Sequence, residues 1–254
     1  MNIIGFDMGS AFIKGVLIRE DGKSFYAIEK SGRNYRDTVQ LLRESLFRAA
    51  DTEDATSFST GCGEGCIPFS TTHVSEMACL VRAVTEVKHG PCVILDMGGQ
   101  AGRLCVVDDH DLVEAFDYSE KCASGSGKVL ESVARILRVP FDALSEIGAQ
   151  ATQIASFTTS CAVFAESEAI TAVARGESKE NIIAGFHYSI CQKYAAMLNK
   201  HVDTIPIVAT GGMAKDITLI KVLGDMMNRS VTILENPQFC IARGAALLGR
   251  DMCS

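Results

Sequence analysis

The sequence lacks the features that mark nucleic-acid-binding and membrane proteins. Its 254 residues carry 24 Lys and Arg against 31 Asp and Glu, a net charge of -7. No basic cluster interleaved with aromatic residues offsets this balance, so we expect no nucleic-acid partner. No apolar run approaches the roughly 18 residues that are needed to cross a bilayer, so we expect no membrane partner.

Residues 2–7 already read as a strand, so we expect no basic and apolar leader. The 10 cysteines of the chain therefore favour a reducing, cytoplasmic setting over a disulfide framework. The length is sufficient for a large core, either in one domain or in two lobes.

Two short segments place a cysteine ahead of a helical pattern: residues 120–127 contain Cys122, and residues 158–166 contain Cys161. A helix N-terminus favours a thiolate and an anionic metal cluster. An iron-sulfur cubane needs four thiolates, so a cluster held by these two cysteines would be shared between two subunits. The alternative is that each fills the core. Core positions are expected for the cysteines within apolar patterns, which are Cys92, Cys105, Cys191 and Cys240.

The opening of the chain occurs twice. A buried strand over 2–7 ends in the turn Asp-Met-Gly-Ser at 7–10, and a returning strand follows over 12–19. A second strand over 91–96 ends in Asp-Met-Gly-Gly at 96–99. Its return is predicted over 103–107, and a further strand over 112–116. The two openings indicate two related lobes.

A third Gly-rich turn, at 210–213, follows a strand over 205–209 and precedes an amphipathic helix. Further helices are predicted over 35–49, 75–87, 127–137 and 181–200, so the class is α/β.

The turn chemistry suits phosphates. An Asp-x-Gly turn places a carboxylate beside bare backbone, so N–H groups can approach phosphate oxygens while the carboxylate holds Mg²⁺ through water. Two such turns facing each other would clamp a nucleotide, and a purely structural duplication is the alternative. Residues 125–128 look like the end of a P-loop, but Cys122 and Val129 stand where Gly and Ser or Thr are required, which excludes a Walker site.

Together these motifs resemble the acetate and sugar kinase, Hsp70 and actin superfamily. Within it they are similar to the activator ATPases of 2-hydroxyacyl-CoA dehydratases and the related ATPase subunits of benzoyl-CoA reductase. The two cysteine segments are the most specific parts, because ordinary kinases of the superfamily lack them. The likeness runs over nearly the whole chain and is carried by residues 7–14, 60–63, 75–79, 96–100, 121–125, 160–168, 211–215 and 244–247.

The resemblance implies an α/β fold of duplicated actin-like (ribonuclease H-like) ATPase lobes with a nucleotide cleft between them. We expect the first lobe over residues 1–88 and the second, which carries both cysteine segments, over residues 89–236. A C-terminal helix over about 237–254 is expected to pack back on the first lobe.

The resemblance also implies cofactors and partners. One [4Fe-4S] cluster would bridge a homodimer, or a dimer with a close paralogue, through Cys122 and Cys161 of each subunit. ATP and ADP would bind with Mg²⁺, and ATP hydrolysis would change the angle between the helices that hold the cluster. A low-potential donor such as ferredoxin or flavodoxin would supply the electron. An iron-sulfur dehydratase or reductase component would receive it.

Matching the motifs residue by residue implies individual roles. Asp7 and Asp96 would organise Mg²⁺ through water, and Glu76 is the candidate for orienting a lytic water; these three form the expected catalytic set. The nucleotide contacts would come from the Gly-rich turns and the lysine after the first of them, namely Gly9, Ser10, Lys14, Gly98, Gly99, Gln100, Gly211 and Gly212. The chain departs from the family at Ala101, where an acid is common, and at Leu80, where a histidine is frequent.

Three side chains have an alternative interpretation. Strand alternation leaves Lys14 facing either the turn or solvent. Glu76 also suits a helix start simply because the helix dipole favours an acid there. Glu166, on the helix after Cys161, is a candidate for a dimer interface, and first-turn capping is its alternative.

The function expected from the sequence is an ATP-hydrolysing iron-sulfur activator that passes low-potential electrons to a 2-hydroxyacyl-CoA dehydratase or benzoyl-CoA reductase component. One alternative is a small-molecule kinase of the same superfamily, in which Asp96 would act as base, but it leaves Cys122 and Cys161 unexplained. A second is a non-catalytic, nucleotide-dependent assembly factor for a metalloenzyme, which Ala101 keeps open.

Overall fold

The computed structural model describes residues 1–119, 126–157, 162–201 and 205–253. The chain divides into two compact units, Met1–Gly90 with Gln238–Ser254, and Pro91–Pro237. Each unit is built on a five-stranded sheet. None of the helices in this part of the chain combines the length and the hydropathy that crossing a bilayer requires.

The first unit opens with an antiparallel meander and continues with parallel strands and helices. Its elements are β1 (Ile3–Met8), β2 (Phe12–Ile18), β3 (Ser24–Lys30), α1 (Tyr35–Ala50), β4 (Thr56–Thr60), β5 (Thr72–His73) and α2 (Glu76–Thr85). The strands lie in the order β3-β2-β1-β4-β5, with β1 antiparallel to β2 and parallel to β4. Every residue of β1 is buried, as expected for a central strand with both faces covered.

Helix α1 begins at a local cap and covers one face of this sheet. The side chain of Asn34 accepts a hydrogen bond from the backbone N–H of Asp37, which satisfies one amide at the helix start. On β2, a Cβ atom at Gly15 would lie 2.5 and 2.6 Å from the side chains of Leu42 and Leu46. The missing side chain therefore lets the helix pack directly on the strand.

The second unit repeats this strand topology and adds helices. Its elements are β6 (Cys92–Met97), β7 (Gly102–Val107), β8 (Val113–Tyr118), α3 (Gly127–Leu137), α4 (Leu144–Gly148), α5 (Ala162–Ala174), α6 (Lys179–Leu198), β9 (Ile207–Thr210), α7 (Ile217–Met227) and β10 (Val231–Ile233). The order is β10-β9-β6-β7-β8, with β6 antiparallel to β7 and parallel to β9. Strands β6, β7, β8 and β9 of the second unit thus correspond to β1, β2, β3 and β4 of the first unit.

Helix α8 (Cys240–Cys253) belongs to the first unit, where it packs on β1 and α2. Two glycines permit a very close approach. A Cβ atom at Gly5 of β1 would lie 2.2 Å from the carbonyl oxygen of Ala242, and one at Gly244 of α8 would lie 1.8 Å from the carbonyl oxygen of Cys79. Helix α8 therefore lies closer to β1 and α2 than any residue larger than glycine at these two positions would allow.

The predicted elements are confirmed in kind and, within about two residues, in position. Strands occur at the six predicted places, and α3 spans residues 127–137 as the apolar spacing predicts. Helix α5 follows Cys161 as predicted, but its large apolar residues are not core residues. Phe164, Ile170 and Val173 are 55%, 57% and 48% exposed. The buried face of α5 consists of small residues, namely Ala165, Ala169 and Ala172.

The contact between α8 and α2 gives a stability prediction. Gly244→Ala should lower the free energy of unfolding by about 1–3 kcal/mol, because the new methyl group forces α2 and α8 apart, even though alanine is the better helix former. Gly65→Ala is the matched control, since a Cβ atom there meets nothing within 4 Å. Denaturant titrations of both variants test this. Equal stability of Gly244→Ala and the wild type would show that α8 and α2 are not tightly packed at Gly244.

Candidate functional site

The first Asp-x-Gly turn contains a buried ion pair. Asp7 on β1 lies opposite Lys14 on β2 in the strand register. The Lys14 ammonium donates a hydrogen bond to Asp7 Oδ2 at 2.9 Å, and the two side chains are only 18% and 6% exposed. Lys14 therefore faces the turn and not bulk solvent.

The backbone of this turn carries no side chain at Gly9 and is held in place by two hydroxyl groups. A Cβ atom at Gly9 would lie 2.7 Å from the carbonyl oxygen of Phe12 at the start of β2, 3.3 Å from Lys14 Nζ and 3.6 Å from Asp7 Oδ1. The hydroxyls of Ser31 and Tyr35 donate to the carbonyl oxygen of Gly9 at 2.6 and 3.3 Å. A carboxylate, an ammonium and bare backbone thus meet at one point, and this donor set fits a phosphate and a hydrated Mg²⁺ ion.

The second turn has the same pair with arginine in place of lysine. Asp96 on β6 lies opposite Arg103 on β7, and Arg103 Nη1 donates to Asp96 Oδ2 at 2.8 Å. The hydroxyl of Thr210, at the end of β9, donates to Asp96 Oδ1 at 3.1 Å. Both carboxylate oxygens of Asp96 are therefore engaged. At Gly98 a Cβ atom would lie 2.6 Å from the carbonyl oxygen of Ala101, so this turn is also bare.

A tyrosine from α6 reaches the second turn. A Cβ atom at Gly102 would lie 2.4 Å from the ring of Tyr194 and 2.7 Å from its hydroxyl oxygen. The corresponding register position in the first unit is Ile13, whose own side chain fills the core there. Burial, and after it the negative charge of Asp96, raises the pKa of Tyr194, which keeps the phenol neutral. This residue has no counterpart in the sequence repeat and was not predicted.

Each Asp-x-Gly turn also packs against a glycine that follows the neighbouring parallel strand. Gly61 follows β4 with φ 97° and Gly211 follows β9 with φ 85°, a region that other residues rarely adopt. Their Cβ atoms would lie 2.9 Å from the backbone nitrogen of Met8 and 2.5 Å from the carbonyl oxygen of Met97. Gly211 is a predicted site residue, whereas Gly61 plays the same structural part in the first unit and was given no role.

The loop after β9 is anchored at its far end. Gly211 is buried and Gly212 is exposed, and the loop leads to Asp216, whose carboxylate accepts from the backbone N–H of Leu219 at 3.0 Å and caps α7. His187 Nε2, fully buried on α6, lies 2.9 Å from Asp216 Oδ2. Burial alone would raise the pKa of Asp216, but the contact with His187 holds it below its usual value.

The start of α3 is bonded to the second turn. The backbone N–H groups of Gly127 and Lys128 donate to the carbonyl oxygens of Gly98 and Gly99 at 3.1 and 3.0 Å. A Cβ atom at Gly127 would lie 3.3 Å from Gly99 Cα and 3.4 Å from the side chain of Met213. Both amides are used within the fold, which agrees with the exclusion of a Walker site. Helix α3 thus touches the second turn and the loop after β9.

Helices α3 and α5 are joined by Glu166. Its carboxylate oxygen Oε1 accepts from the hydroxyl of Ser132 at 2.8 Å and from Arg135 Nη2 at 2.5 Å. The structure therefore gives Glu166 a role within one chain, as a link between the two helices that follow the cysteine segments.

The remaining predicted catalytic residue, Glu76, is the first residue of α2 and is half-buried. Burial raises the pKa of the nearby Cys79 thiol to about 12, with further contributions from the charges of Asp7 and Glu76. The structure thus brings both carboxylates within electrostatic range of one buried thiol. Ser10 is half-buried, and Gln100 is exposed beside the second turn.

The predicted cluster ligands Cys122 and Cys161 lie outside the described residues. In sequence, α5 begins at the residue after Cys161, and α3 begins five residues after Cys122. Residues 1–119, 126–157, 162–201 and 205–253 contain no group of three or more His, Cys, Asp or Glu side chains suited to a metal ion. The cysteines predicted to be core residues, Cys92, Cys105, Cys191 and Cys240, are all buried, which confirms that prediction.

These turns on duplicated sheets define an ATPase of the actin-like class. Residues 4–249 match the BadF/BadG/BcrA/BcrD ATPase family, and the chain belongs to this family. It is 31% identical over 97% of its length to the activator of lactoyl-CoA dehydratase from Anaerotignum propionicum, of which 96% is covered. It is 32% identical over 96% of its length to one of the subunits of benzoyl-CoA reductase from Thauera aromatica, of which 92% is covered.

A solved structure agrees with both sequence relatives. The activator of the 2-hydroxyisocaproyl-CoA dehydratase from Clostridium difficile with bound ADPNP superposes with a TM-score of 0.93 at 26% identity, covering 99% of this chain and 95% of that one. The family resemblance and the α/β fold of duplicated actin-like ATPase lobes are confirmed. The family and this nucleotide-bound neighbour support the binding of ATP or ADP.

The two units provide an internal comparison of a buried hydrogen bond. Thr60 and Thr210 occupy corresponding register positions, opposite Asp7 and Asp96. Thr210→Val removes the hydroxyl that donates to Asp96, and should lower the free energy of unfolding by about 1.5–3 kcal/mol.

Thr60→Val is the matched control for this change. Within the described part of the chain, the buried Thr60 hydroxyl oxygen has no hydrogen-bond partner, so valine should leave stability unchanged or raise it. Urea titrations of the two variants make the comparison. Equal losses in both would contradict the difference between the two turns.

Proposed function

We propose that this protein is an ATP-hydrolysing iron-sulfur activator that passes low-potential electrons to a 2-hydroxyacyl-CoA dehydratase or benzoyl-CoA reductase component. One observation carries the proposal: the second phosphate turn is hydrogen-bonded to α3, the helix that follows the Cys122 segment. A nucleotide site and a candidate cluster segment are thereby connected through backbone atoms. The relatives named as a dehydratase activator and a part of a reductase support the same function.

The nucleotide phosphates bind at the two bare turns. Lys14 neutralises phosphate charge at the first turn, and the carboxylates available to organise Mg²⁺ through water are Asp7 and Asp96. Glu76, half-buried at the start of α2, orients the lytic water. The backbone and side-chain contacts to ATP or ADP come from Gly9, Ser10, Gly98, Gly99 and Gln100, with Gly211 and Gly212 beside the adenosine.

Cys122 and Cys161 are the proposed ligands of a [4Fe-4S] cluster, two from each subunit of a dimer. When bound, this group supplies a one-electron carrier of low potential. Two observations support the assignment: α5 begins directly after Cys161, and Glu166 joins α5 to α3. The chemistry of the donor set also fits, because thiolates are the ligands such clusters require.

The exposed side of α5 supports dimerisation near this helix. Phe164, Ile170 and Val173 present large apolar side chains to solvent in the single chain. Burying such side chains is favourable by roughly 25 cal/mol per Å² of apolar surface. A second copy of this chain, or a close paralogue, covers them in the proposed dimer.

The connection through α3 explains how the nucleotide can act on electron transfer. A change in the Gly98–Gly99 backbone on hydrolysis or release moves the carbonyl oxygens to which α3 is bonded. The helix then shifts with α5, since the two helices pack on each other and Glu166 bonds them together. Ferredoxin or flavodoxin is the proposed donor, and the dehydratase or reductase component is the acceptor.

Cysteine variants test the ligand assignment. After anaerobic purification we expect about four irons per wild-type dimer. Cys122→Ala and Cys161→Ala should each lose the iron and weaken dimerisation, whereas the buried controls Cys92→Ala and Cys105→Ala should keep it. Iron assay and sedimentation measure both. A full iron content in Cys161→Ala would show that Cys161 is not a cluster ligand. A colourless wild-type protein that phosphorylates a small molecule would favour the alternative function, a small-molecule kinase.

The α3 connection has its own test. In the wild type, the rate at which a chelator removes iron should differ about fivefold or more between ADP and a non-hydrolysable ATP analogue. Gly127→Val should abolish most of this difference, because its side chain separates α3 from Gly99 and Met213. Gly65→Val, at an open position, is the control. A folded Gly127→Val protein with the full nucleotide response would show that coupling runs elsewhere.

A further inference from the structure

The two Asp-x-Gly turns look equivalent in sequence, but their carboxylates differ in how firmly they are held. Asp96 is bonded on both oxygens, by Arg103 at 2.8 Å and by Thr210 at 3.1 Å. Asp7 is bonded by Lys14 through Oδ2. The threonine that corresponds to Thr210 in the first unit, Thr60, makes no hydrogen bond to Asp7 within the described residues.

This difference decides which carboxylate can turn towards a cation. Asp7 Oδ1 points at the bare turn, 3.6 Å from the position of a Gly9 Cβ atom, and its cation is a flexible lysine. Each oxygen of Asp96 keeps a further lone pair, but rotating the carboxylate towards a hydrated metal ion would break its bond to the Thr210 hydroxyl or to a guanidinium that never loses its charge. The ring of Tyr194 lies against Gly102, the residue before Arg103, and so packs on the same turn.

The side chain that the second turn offers instead is the guanidinium. Arg103 Nη1 lies 4.0 Å from the position of a Gly98 Cβ atom, so the group lies over the turn backbone. Its side chain is 15% exposed, which leaves part of it accessible. A guanidinium is planar, carries five N–H donors and matches the geometry of phosphate oxygens. Its bond to Asp96 helps to fix its position.

We propose that the two turns divide the work on the nucleotide. Arg103 binds the phosphates, Asp96 is its positioning residue, and Asp7 is the carboxylate that organises the metal ion. This inference rests on the proposed binding of ATP or ADP at these turns. It assigns a role to Arg103 and separates two aspartates that the sequence repeat treats as equals.

Two binding measurements separate these roles without reference to catalysis. The first is the affinity for ADP in EDTA, which reports phosphate contacts alone. The second is the affinity of the ADP-saturated protein for Mn²⁺, followed by its electron paramagnetic resonance signal. Circular dichroism confirms that each variant is folded.

Arg103→Met should lower the affinity for ADP in EDTA about tenfold or more, the loss expected for one charge-assisted hydrogen bond, and Arg103→Lys should recover part of it. Asp7→Asn should lower the Mn²⁺ affinity about tenfold, whereas Asp96→Asn should change it by less than about threefold. If Arg103→Met is unstable because Asp96 loses its partner, the double variant Asp96→Asn/Arg103→Met, which removes both charges, should show the same weak ADP binding.

Three results would overturn the proposal. Unchanged ADP affinity in Arg103→Met, or in the double variant, would exclude Arg103 as a phosphate ligand. Equal loss of Mn²⁺ affinity in Asp7→Asn and Asp96→Asn would make the two turns equivalent, while the proposed function would stand. A wild-type protein that binds neither ADP nor ATP would overturn the proposed function itself and this division of roles with it.

Discussion

Two backbone hydrogen bonds, from the first amides of α3 to the carbonyl oxygens of Gly98 and Gly99, connect the second turn to α3, and the proposed mechanism depends on them. Each bond contributes a net stabilisation of only about 1 kcal/mol. Coupling free energies between sites in proteins are typically about 1–3 kcal/mol, so two such bonds are of the right size. The turn cannot change conformation while α3 stays still unless these bonds are lost. The second turn and the start of α3 are therefore linked by geometry, with Gly127 allowing the close contact.

The duplicated sheets explain why two Asp-x-Gly turns exist, and the surroundings of the turns explain why the two need not act alike. In each unit an aspartate at the end of the central strand pairs with a lysine or an arginine on the return strand. A glycine with positive φ packs against the turn. The second unit adds the Thr210 hydroxyl at its acid and the Tyr194 ring against Gly102 of the same turn. These additions fix the turn that is bonded to α3, which is the turn from which the proposed mechanism transmits a conformational change.

Much of this arrangement was predictable because it is local in sequence. The repeated Asp-Met-Gly after an apolar strand predicts both turns, and the spacing of apolar residues predicts α3 to the residue. The contribution of β4 was missed, because Thr56–Thr60 is short and polar and its pairing with β1 is not local. Tyr194 gives no signal either, since its neighbour Gly102 is ninety-two residues earlier. The stripe of α5 was readable as apolar, but its exposure in the single chain was not predicted.

In the proposed mechanism, nucleotide state and electron transfer form one coupled system. The most direct measurement is a redox titration of the cluster in the anaerobically purified wild-type protein, with ADP and with a non-hydrolysable ATP analogue. At 59 mV per tenfold change, a coupling of about 1–3 kcal/mol predicts a difference of roughly 40–130 mV between the two midpoint potentials. Identical midpoint potentials in the apo, ADP and ATP-analogue states would contradict this mechanism, because the cluster and the nucleotide would then share a chain without influencing each other.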